Sequence, residues 1–263
     1  MNVLRLSLFQ IPLVWEAPEE NRKAIEKLLF TTHEKSDLIF LPEMFSSGFT
    51  MQPELVAETM EGPTVQWMLT MAQKMNAAIG GSIVIQEATH YYNRFLFVSP
   101  EGELQFYDKR HTFTLAGEHK AYTTGKNDGL IDYKGWKICL RVCYDLRFPV
   151  WSRNTSDYDL LVYVANWPKP RIHAWDTLLK ARAIENMAYC IGVNCVGTDP
   201  NGNQYPGHSA AYDSLGNLIS NQISEETSVL NASIDRESLK AKRRHLPFLK
   251  DRDTFNLNGN SNN

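Results

Sequence analysis

Short runs of apolar residues alternate with longer amphipathic stretches along most of this chain, and this alternation is the main indication of its fold. In the first half, apolar runs typical of strands occupy residues 3–14, 37–41, 78–85, 91–98 and 104–109. Apolar residues at helical spacing predict helices over about residues 18–35 and from Pro63 onward, each with a proline in its first turn. Strands that are apolar on both faces indicate covered sheets.

The second half of the chain repeats this order of elements. Further strands are predicted at residues 137–143, 159–165, 190–194, 209–212 and 229–234. A long helix is predicted over about residues 172–188, and its inward side chains are Trp175, Leu178, Leu179 and Ala183. Strand and helix therefore alternate throughout, which predicts an α/β protein.

The connecting segments and the chain end carry further predictions. Residues 213–217 predict a hairpin turn, and Ser238 is predicted to cap a short basic helix. Residues 112–130 form a long irregular segment, a length that is typical of functional loops. Because no linker or break in composition divides the chain, we interpret residues 1–255 as one domain, followed by a loose tail at 256–263.

Composition and charge exclude several classes of protein. The chain has 263 residues, 43% of them hydrophobic, which suffices for a large core. Its formal net charge of −3, with both signs interspersed, disfavours nucleic acid or an anionic membrane as the main partner. No signal peptide or apolar run near the roughly 18 residues of a membrane span is present. Four scattered cysteines predict free thiols and a cytoplasmic location.

Three reactive side chains stand at or just after the ends of predicted strands. Glu43 follows the strand at 37–41, Lys109 ends the strand at 104–109, and Cys143 ends the strand at 137–143. In α/β sheets, ligands bind at the carboxyl ends of strands. If the three strands are parallel neighbours, a carboxylate, an ammonium and a thiol meet at one rim. Taken singly, each residue also fits a structural role as a turn, surface or core residue.

Cys143 differs from the other cysteines in what surrounds it. Alternation along its strand places Trp136, Ile138, Leu140 and Val142 on one face, and Lys137, Cys139, Arg141 and Cys143 on the other. The second face is too polar for a plain core, and polar residues follow Cys143 immediately. Cys139, Cys190 and Cys195 are better interpreted as inert core residues.

These groups could support acyl transfer. A nearby ammonium stabilises a thiolate, and a carboxylate can take the thiol proton. The thiolate would attack a carbonyl or nitrile carbon, and Lys109 with the backbone N–H of Tyr144 would stabilise the oxyanion. A Cys–His pair is the mechanistic rival, because His111 and His119 lie near Lys109 in the sequence. No Cys or His group has the spacing of a zinc site.

Three sequence blocks together resemble the signature of the nitrilase superfamily of carbon–nitrogen hydrolases. Residues 41–45 read Leu-Pro-Glu-Met-Phe, residues 107–111 read Tyr-Asp-Lys-Arg-His, and residues 142–149 read Val-Cys-Tyr-Asp-Leu-Arg-Phe-Pro. Further similar segments are 117–119, 166–168 with 181–186, and 207–209 with 213–216. The blocks occur in the family order over nearly the whole chain. In one departure, Met187 stands where the family often has glutamine.

The resemblance implies a four-layer α-β-β-α sandwich that pairs into a homodimer or a higher homo-oligomer. It implies Glu43 as general base, Lys109 as oxyanion stabiliser and Cys143 as nucleophile. It implies that Glu118 orients Lys109 or the substrate. No metal or organic cofactor is implied, and the partner is a small-molecule amide.

Within the superfamily, residues 142–151 and 165–168 are most similar to the bacterial omega-amidase branch, which hydrolyses the terminal amide of α-keto acid amides. Arg147 is the candidate for binding the substrate carboxylate, although an ion pair with Asp145 or a glutamate is an equal alternative. The expected pocket walls are Phe45, Phe113, Tyr144 and Trp167. The remaining alternatives are a superfamily hydrolase for an aliphatic amide, nitrile or N-carbamoyl amino acid, and a non-catalytic scaffold with the same fold.

Overall fold

The computed structural model describes residues 1–31, 35–221 and 223–257. The strands are β1 Val3–Gln10, β2 Leu38–Phe40, β3 Ala78–Glu87, β4 His90–Val98, β5 Leu104–Asp108, β6 Leu130–Tyr133, β7 Trp136–Val142, β8 Leu160–Ala165, β9 Tyr189–Asn194, β10 Val196–Thr198, β11 Gln204–Pro206, β12 Ala210–Tyr212 and β13 Ser228–Asp235. The α-helices are α1 Pro18–Thr31, α2 Pro63–Met75, α3 Glu118–Ala121, α4 Ile172–Asn186 and α5 Arg236–His245.

The strands form two mixed sheets and one small hairpin. The first sheet has the order β13-β1-β2-β3-β4-β5, in which β1, β2 and β3 are parallel and the other pairings are antiparallel. The second has the order β12-β9-β8-β7-β6, with β7, β8 and β9 parallel. Strands β10 and β11 form the hairpin, and Val196 of β10 also makes an isolated bridge to Pro12. Helices link β1 to β2, β2 to β3 and β8 to β9, as the alternation in the sequence predicts, whereas β7 and β8 are joined by a segment with one 3-10 turn.

The two sheets pack face to face around an apolar core. The inward residues of the first sheet include Leu6, Leu8, Phe40 and Phe95, and those of the second include Leu140, Val162 and Ile191. Alternation within β2 places Phe40 in this core and Ile39 on the opposite, outer face. The strands are apolar on both faces because each sheet is covered on both sides.

Helices cover the outer faces of both sheets. Ile25 of α1 and Met68 of α2 pack on Ile39 and Ile79 of the first sheet. Trp175, Leu179 and Ala183 of α4 pack on the outer face of the second sheet. The layers are therefore helix, sheet, sheet and helix, so the predicted α-β-β-α sandwich is confirmed. No helix in the described ranges is both long and apolar enough to cross a bilayer.

Several predicted boundaries differ from the structure. Strand β1 ends at Gln10 rather than at residue 14, because Pro12 leaves the sheet and makes a single bridge to Val196. Helix α1 ends at Thr31, and the predicted continuation towards Lys35 crosses residues 32–34, which lie outside the described residues. The predicted loose tail also lies mostly outside them, since the described chain ends at residue 257.

The predictions for the smaller elements were mixed. The turn after β12 is confirmed, because Asp213 N–H donates to the carbonyl of Asn217 at 2.9 Å and closes the hairpin. The prediction that Ser238 caps the basic helix was wrong. Asp235 caps α5 instead, and its carboxylate accepts a hydrogen bond from the backbone N–H of Glu237 at 2.9 Å. Strand β6 and the β10–β11 hairpin were not predicted.

Candidate active site

Glu43 and Lys109 belong to the first sheet, whereas Cys143 belongs to the second. The hypothesis that their three strands are parallel neighbours was wrong: β3 and β4 separate β2 from β5, and β7 lies in the opposing sheet. Strands β2 and β5 nevertheless run in the same direction, so both end at the same rim of the first sheet. The three side chains meet because the two sheets are stacked.

Glu43 is fully buried in the tight turn that follows β2. Residue 44 has a left-handed backbone with φ of +44°, and its N–H donates to the Ser82 hydroxyl at 2.9 Å. One Glu43 carboxylate oxygen accepts hydrogen bonds from Lys109 Nζ and Asn93 Nδ2, each at 2.8 Å. The other accepts from the backbone N–H of Asn166 at 2.8 Å. These donors fix the carboxylate in one orientation.

Lys109 is a buried ammonium held between two carboxylates. Its Nζ lies 2.8 Å from Glu43 Oε1 and 2.9 Å from Glu118 Oε2. Burial opposes the charge, but the Glu118 and Glu43 carboxylates outweigh it and hold the pKa of the Lys109 ammonium above its usual range. Lys109 is therefore a permanent cation in the site.

Glu118 anchors the irregular segment that closes one side of the site. It stands in the first turn of α3, is fully buried, and accepts two hydrogen bonds from Lys109 Nζ, at 2.9 and 3.0 Å. Its carboxylate also accepts from the backbone N–H of Phe113. Burial raises the pKa of Glu118, while the Lys109 charge opposes that change. Glu118 thus links Lys109 to the loop that carries Phe113.

Cys143 occupies a strained turn at the end of β7. Its φ of +43° lies in the left-handed region, which is costly for a residue with a side chain and is concentrated at functional sites. Residues Cys143–Arg147 then form one turn of 3-10 helix. The abrupt change of direction after β7 leaves the thiol facing a cavity.

Asp145 holds this turn in place. Its fully buried carboxylate accepts hydrogen bonds from the backbone N–H of Val142 at 3.0 Å and the Tyr107 hydroxyl at 2.8 Å. It also lies 2.7 Å from His111 Nδ1. Burial alone would raise the pKa of Asp145, but the hydrogen bond from His111 and the charge of Arg141 hold it below its usual range. The carboxylate is therefore ionised at neutral pH.

The thiol of Cys143 carries its proton at rest. Burial raises its pKa well above the usual value, the Glu43 carboxylate raises it further, and Lys109 lowers it. Two carboxylates flank a single ammonium, so the cluster has an excess of negative charge. Lys109 lowers the thiol pKa, as expected of a nearby ammonium, but burial and the Glu43 carboxylate outweigh it. A thiolate forms only when its proton moves to an acceptor, and Glu43 is the base beside it.

The thiol opens onto a cavity of about 360 Å³. The cavity walls come from the loop after β2, the segment before α3, the nucleophile turn, the start of α4 and the β10–β11 hairpin. Its lining residues are Phe49, Met51, Phe113, Leu115, Ala116, Cys143, Tyr144, Arg147, Asn166, Trp167, Pro168, Arg171, Asp199, Asn201, Asn203 and Tyr205. A pocket of this size and mixed lining suits a small organic molecule.

Four of the five predicted substrate-binding residues line this cavity. The Phe113 and Tyr144 rings contact each other edge to face with centroids 5.0 Å apart. The Arg147 guanidinium lies over the Trp167 ring. The prediction for Phe45 was wrong. Phe45 is fully buried in the outer core of the first sheet, 6.0 Å from the Trp67 ring, because the turn after Glu43 directs it away from the cavity.

Among the described residues, Arg147 has no acidic partner. Its exposed guanidinium lies 5.0 Å from the centroid of the Trp167 ring, and within the described ranges no carboxylate approaches it within 4.0 Å. The alternative of an ion pair with Asp145 is therefore excluded, since that carboxylate is engaged by His111. Arg147 presents an unpaired positive charge in the cavity.

Histidine does not provide the base in this arrangement. His111 bonds to Asp145 and stacks on Phe148 at a centroid distance of 3.7 Å. His119 faces a separate surface depression beside His90. The predicted Cys–His alternative is therefore not supported by the geometry. Within the part of the chain that the structure describes, no group of three His, Cys, Asp or Glu side chains is arranged to hold a metal ion.

Sequence reasoning missed several residues that complete the site. Asn166 donates to the Glu43 carboxylate through its backbone N–H and to the Glu43 carbonyl from Nδ2 at 2.7 Å. The Cys195 thiol in turn donates to Asn166 Oδ1 at 3.0 Å. Asn93, in the middle of β4, bonds both Glu43 and Glu118. The position of Asn166 after an apolar strand was an available signal, whereas Asn93 carried none.

Known proteins similar to this chain match it from end to end. The model of the carbon-nitrogen hydrolase family matches residues 5–244. The omega-amidase YafV of Yersinia enterocolitica is 44% identical over 257 residues, covering 98% of this chain and 100% of that protein. A 2-oxoglutaramate amidase of Bacillus subtilis is 32% identical over 253 residues, covering 94% of this chain and 96% of that protein.

A solved structure is also closely similar. XC1258 from Xanthomonas campestris, described as a CN-hydrolase superfamily protein with an arsenic adduct in its active site, superposes with a TM-score of 0.94. It is 42% identical, and the match covers 98% of this chain and 100% of that one. The resemblance seen in the three sequence blocks is therefore confirmed over the whole fold.

Proposed function

This chain belongs to the carbon–nitrogen hydrolase family, and from that premise we propose that it is an omega-amidase. The proposed reaction hydrolyses the terminal amide of α-keto acid amides such as 2-oxoglutaramate and 2-oxosuccinamate, and releases the dicarboxylate and ammonia. Support comes from relatives named omega-amidase and 2-oxoglutaramate amidase, which match the chain over nearly its full length. The site must then hold an amide at one end and a carboxylate at the other.

In the first half of the proposed reaction, Cys143 attacks the amide carbon. Glu43 takes the thiol proton as the sulfur–carbon bond forms, which generates the thiolate only in the presence of substrate. Negative charge moves onto the amide oxygen, where Lys109 and the backbone N–H of Tyr144 stabilise it. Glu43 then delivers the proton to the leaving nitrogen, ammonia departs, and a thioester remains on Cys143.

In the second half, water hydrolyses the thioester. Glu43, again a carboxylate, takes a proton from the water as its oxygen attacks the thioester carbon. The same donors stabilise the second oxyanion. The carbon–sulfur bond breaks, the thiolate recovers a proton, and the carboxylic acid product is released. Glu118 takes no proton in this scheme; it holds the Lys109 ammonium at 2.9 Å and so positions the oxyanion donor.

The observation that carries this proposal is the contact of one buried ammonium with two buried carboxylates beside the Cys143 thiol. A structural role does not require such a costly cluster, because buried charges are expensive even when paired. The unpaired Arg147 guanidinium, which lines the same cavity, suits a carboxylate. Arg147 is therefore the proposed contact for the α-keto acid carboxylate.

The direct test measures ammonia release from 2-oxoglutaramate and 2-oxosuccinamate, with Cys143→Ala as the inactive control. Turnover of either compound would support the proposal. A panel containing an aliphatic amide, a nitrile and an N-carbamoyl amino acid separates the alternatives within the family, since preference for one of these would replace the proposed substrate. Intact-mass spectrometry tests for the acyl adduct, and no adduct with any compound would favour a non-catalytic scaffold.

The wider organisation of the molecule is also part of the proposal. Residues 1–255 are proposed to form one hydrolase domain, as supported by the pairing of β1 near the chain start with β13 near its end. The protein is proposed to act as a homodimer or higher homo-oligomer in the cytoplasm. Analytical ultracentrifugation tests the assembly, and a monomer at micromolar concentration would contradict it.

A further inference from the structure

Arg171 places a second guanidinium in the substrate cavity. It ends the 3-10 turn Lys169–Arg171 that leads into α4, and its half-buried side chain lies 5.2 Å from the centroid of the Phe113 ring. In the ranges that the structure describes, no carboxylate lies within 4.0 Å of this guanidinium. Arg171 is thus an unpaired cation, as Arg147 is, and the mechanism above does not use it.

The two arginines approach the cavity from different walls. Arg147 comes from the nucleophile turn and lies over Trp167, whereas Arg171 comes from the start of α4 and lies over Phe113. The Trp167 indole N–H donates to the Arg171 backbone carbonyl at 2.8 Å. This hydrogen bond connects the backbone of Arg171 to the ring over which Arg147 lies. Stacking on rings restricts both guanidiniums without consuming their N–H donors.

Among the residues that the structure describes, Asp199 forms no ion pair with either guanidinium. It also lines the cavity, but one of its oxygens accepts from the backbone N–H groups of Asn201 and Asn203, each at 2.9 Å. The other accepts from Asn203 Nδ2 at 2.9 Å and from the Tyr205 hydroxyl at 3.0 Å. The carboxylate therefore shapes the β10–β11 hairpin, and Arg147 and Arg171 are the two arginines of the cavity lining.

Two guanidiniums exceed what one substrate carboxylate requires. In 2-oxoglutaramate, the carboxylate is joined directly to a ketone, whose oxygen is a further hydrogen-bond acceptor. L-Glutamine has the same amide, chain length and carboxylate, but it carries a positively charged ammonium at the position of the ketone. A second guanidinium beside that carbon would therefore attract the ketone oxygen of the first compound and repel the ammonium of the second.

We propose that Arg171 determines specificity for α-keto acid amides over α-amino acid amides. In this assignment Arg147 binds the carboxylate, while Arg171 donates to the 2-oxo oxygen and repels an ammonium at the same carbon. The inference rests on the proposed omega-amidase function and deepens it. It explains how the enzyme distinguishes its substrate from glutamine, although the bond that breaks is the same in both.

The test compares kcat/KM for 2-oxoglutaramate and L-glutamine in wild type and in Arg171→Gln. We expect the variant to lower the ratio of the two values by about 10- to 100-fold, the range for loss of one hydrogen bond from a charged donor. The decrease should arise from a lower kcat/KM for the oxo acid and a constant or higher one for glutamine. Circular dichroism and thermal unfolding check that the variant is folded.

Two further variants separate recognition from general effects of charge. Lys169→Gln removes a positive charge from the same turn, but Lys169 is exposed, lies 3.6 Å from Glu225 and does not line the cavity. This matched control should keep the wild-type ratio. Arg171→Lys retains the positive charge and should restore most of the preference, with a raised KM for the oxo acid because the planar fork is lost.

The possible outcomes distinguish this inference from the function on which it rests. Wild-type protein that does not hydrolyse 2-oxoglutaramate would overturn the omega-amidase function, and the specificity role with it. Active wild type with the same substrate ratio in Arg171→Gln would overturn the role of Arg171 alone. An equal loss with both substrates would also overturn it, since that result indicates a structural defect. If Arg171→Gln does not fold, the ratio in Arg171→Lys decides, and a loss of preference there contradicts the charge argument.

Discussion

At the scale of single residues, Lys109 joins the chemistry of the site to its stability. From the sequence, a lysine at a strand end would be expected to affect activity far more than folding. In the structure its ammonium is fully buried between the Glu43 and Glu118 carboxylates. Removing it leaves two buried carboxylates without a counter-ion, so its loss should affect both properties.

We predict that Lys109→Met abolishes measurable turnover and lowers the free energy of unfolding by about 3–5 kcal/mol. Adding Glu118→Gln should recover about 1–2 kcal/mol of stability without restoring turnover, because one unpaired charge is removed while the oxyanion donor stays absent. Urea unfolding and ammonia release measure the two effects. Lys240→Met, at an exposed pair with Glu237, is the control and should cost less than about 1 kcal/mol.

A second residue-scale prediction concerns the nucleophile. Cys143→Ser and Cys143→Ala should retain the fold but reduce kcat by at least about 10³-fold, since the thioester can no longer form. Cys139→Ala is the matched control: Cys139 is buried three strand positions before the end of β7, and burial raises its pKa to about 11. Turnover retained in Cys143→Ala, or lost in Cys139→Ala, would point to a different nucleophile.

The site residues differ in how far the sequence could predict them. Glu43, Lys109 and Cys143 each stand at or just after the end of a predicted strand, and the sequence motifs around them are specific to the family. Arg171 and Asn93 have no such signal, because their positions in the site depend on where α4 and β4 pack. Phe45 was misplaced for the same reason: one residue of turn geometry decides whether a side chain after Glu43 enters the cavity or the core.

At the scale of elements, the turn Cys143–Arg147 carries a conformational cost that the rest of the fold must offset. It forces a residue with a side chain into a left-handed backbone at the end of a buried strand. The cost of such a conformation, about 1–3 kcal/mol, must be offset by its surroundings. Asp145 supplies the offset, because it accepts hydrogen bonds from both β7 and the segment that carries His111.

This role of Asp145 predicts a pH-dependent contribution to stability. Its pKa is lowered in the folded state, so its contribution is fully present above the unfolded value of about 3.9 and is lost as the pH falls through the folded value. The difference in unfolding free energy between wild type and Asp145→Asn should therefore be constant near neutral pH and shrink below about pH 4. Urea titrations from about pH 2.5 to 7 measure this difference. A difference that grows in acid would contradict the assignment.

Long apolar elements were easier to predict than short polar ones. Strands β3, β4 and β8 and helices α2 and α4 appear close to their predicted positions, because their periodicity reflects burial on defined faces. The β10–β11 hairpin escaped prediction, since its strands are three residues long, partly exposed, and organised by the side chain of Asp199. That hairpin nevertheless contributes a wall of the cavity.

At the scale of the whole molecule, the active site depends on the stacking of the two sheets. Base and ammonium come from one sheet and the nucleophile from the other, so the core between them sets their separation. The fold class could be predicted from the alternation of strands and helices together with the sequence motifs of the family. The stacking itself could not be derived from periodicity, because strands buried on both faces do not reveal which face meets the other sheet.

We predict that Leu140→Ala, between the sheets, lowers kcat more than Leu179→Ala, which lies between α4 and the second sheet. Both leucines are fully buried, and each substitution should cost about 2–5 kcal/mol of unfolding free energy. Only the first loosens the contact that aligns Cys143 with Glu43. Steady-state kinetics at a temperature where both variants are folded make the comparison. Equal losses of kcat would show that the inter-sheet core does not set the alignment.

The protonation of the Cys143 thiol in the free enzyme also affects how fast it reacts with oxidants. Hydrogen peroxide and alkylating agents react with thiolates and hardly at all with neutral thiols. A thiol whose pKa is raised by burial and by Glu43 should therefore resist sulfenic acid formation at neutral pH. The nucleophile becomes reactive only when a bound amide draws the proton onto Glu43.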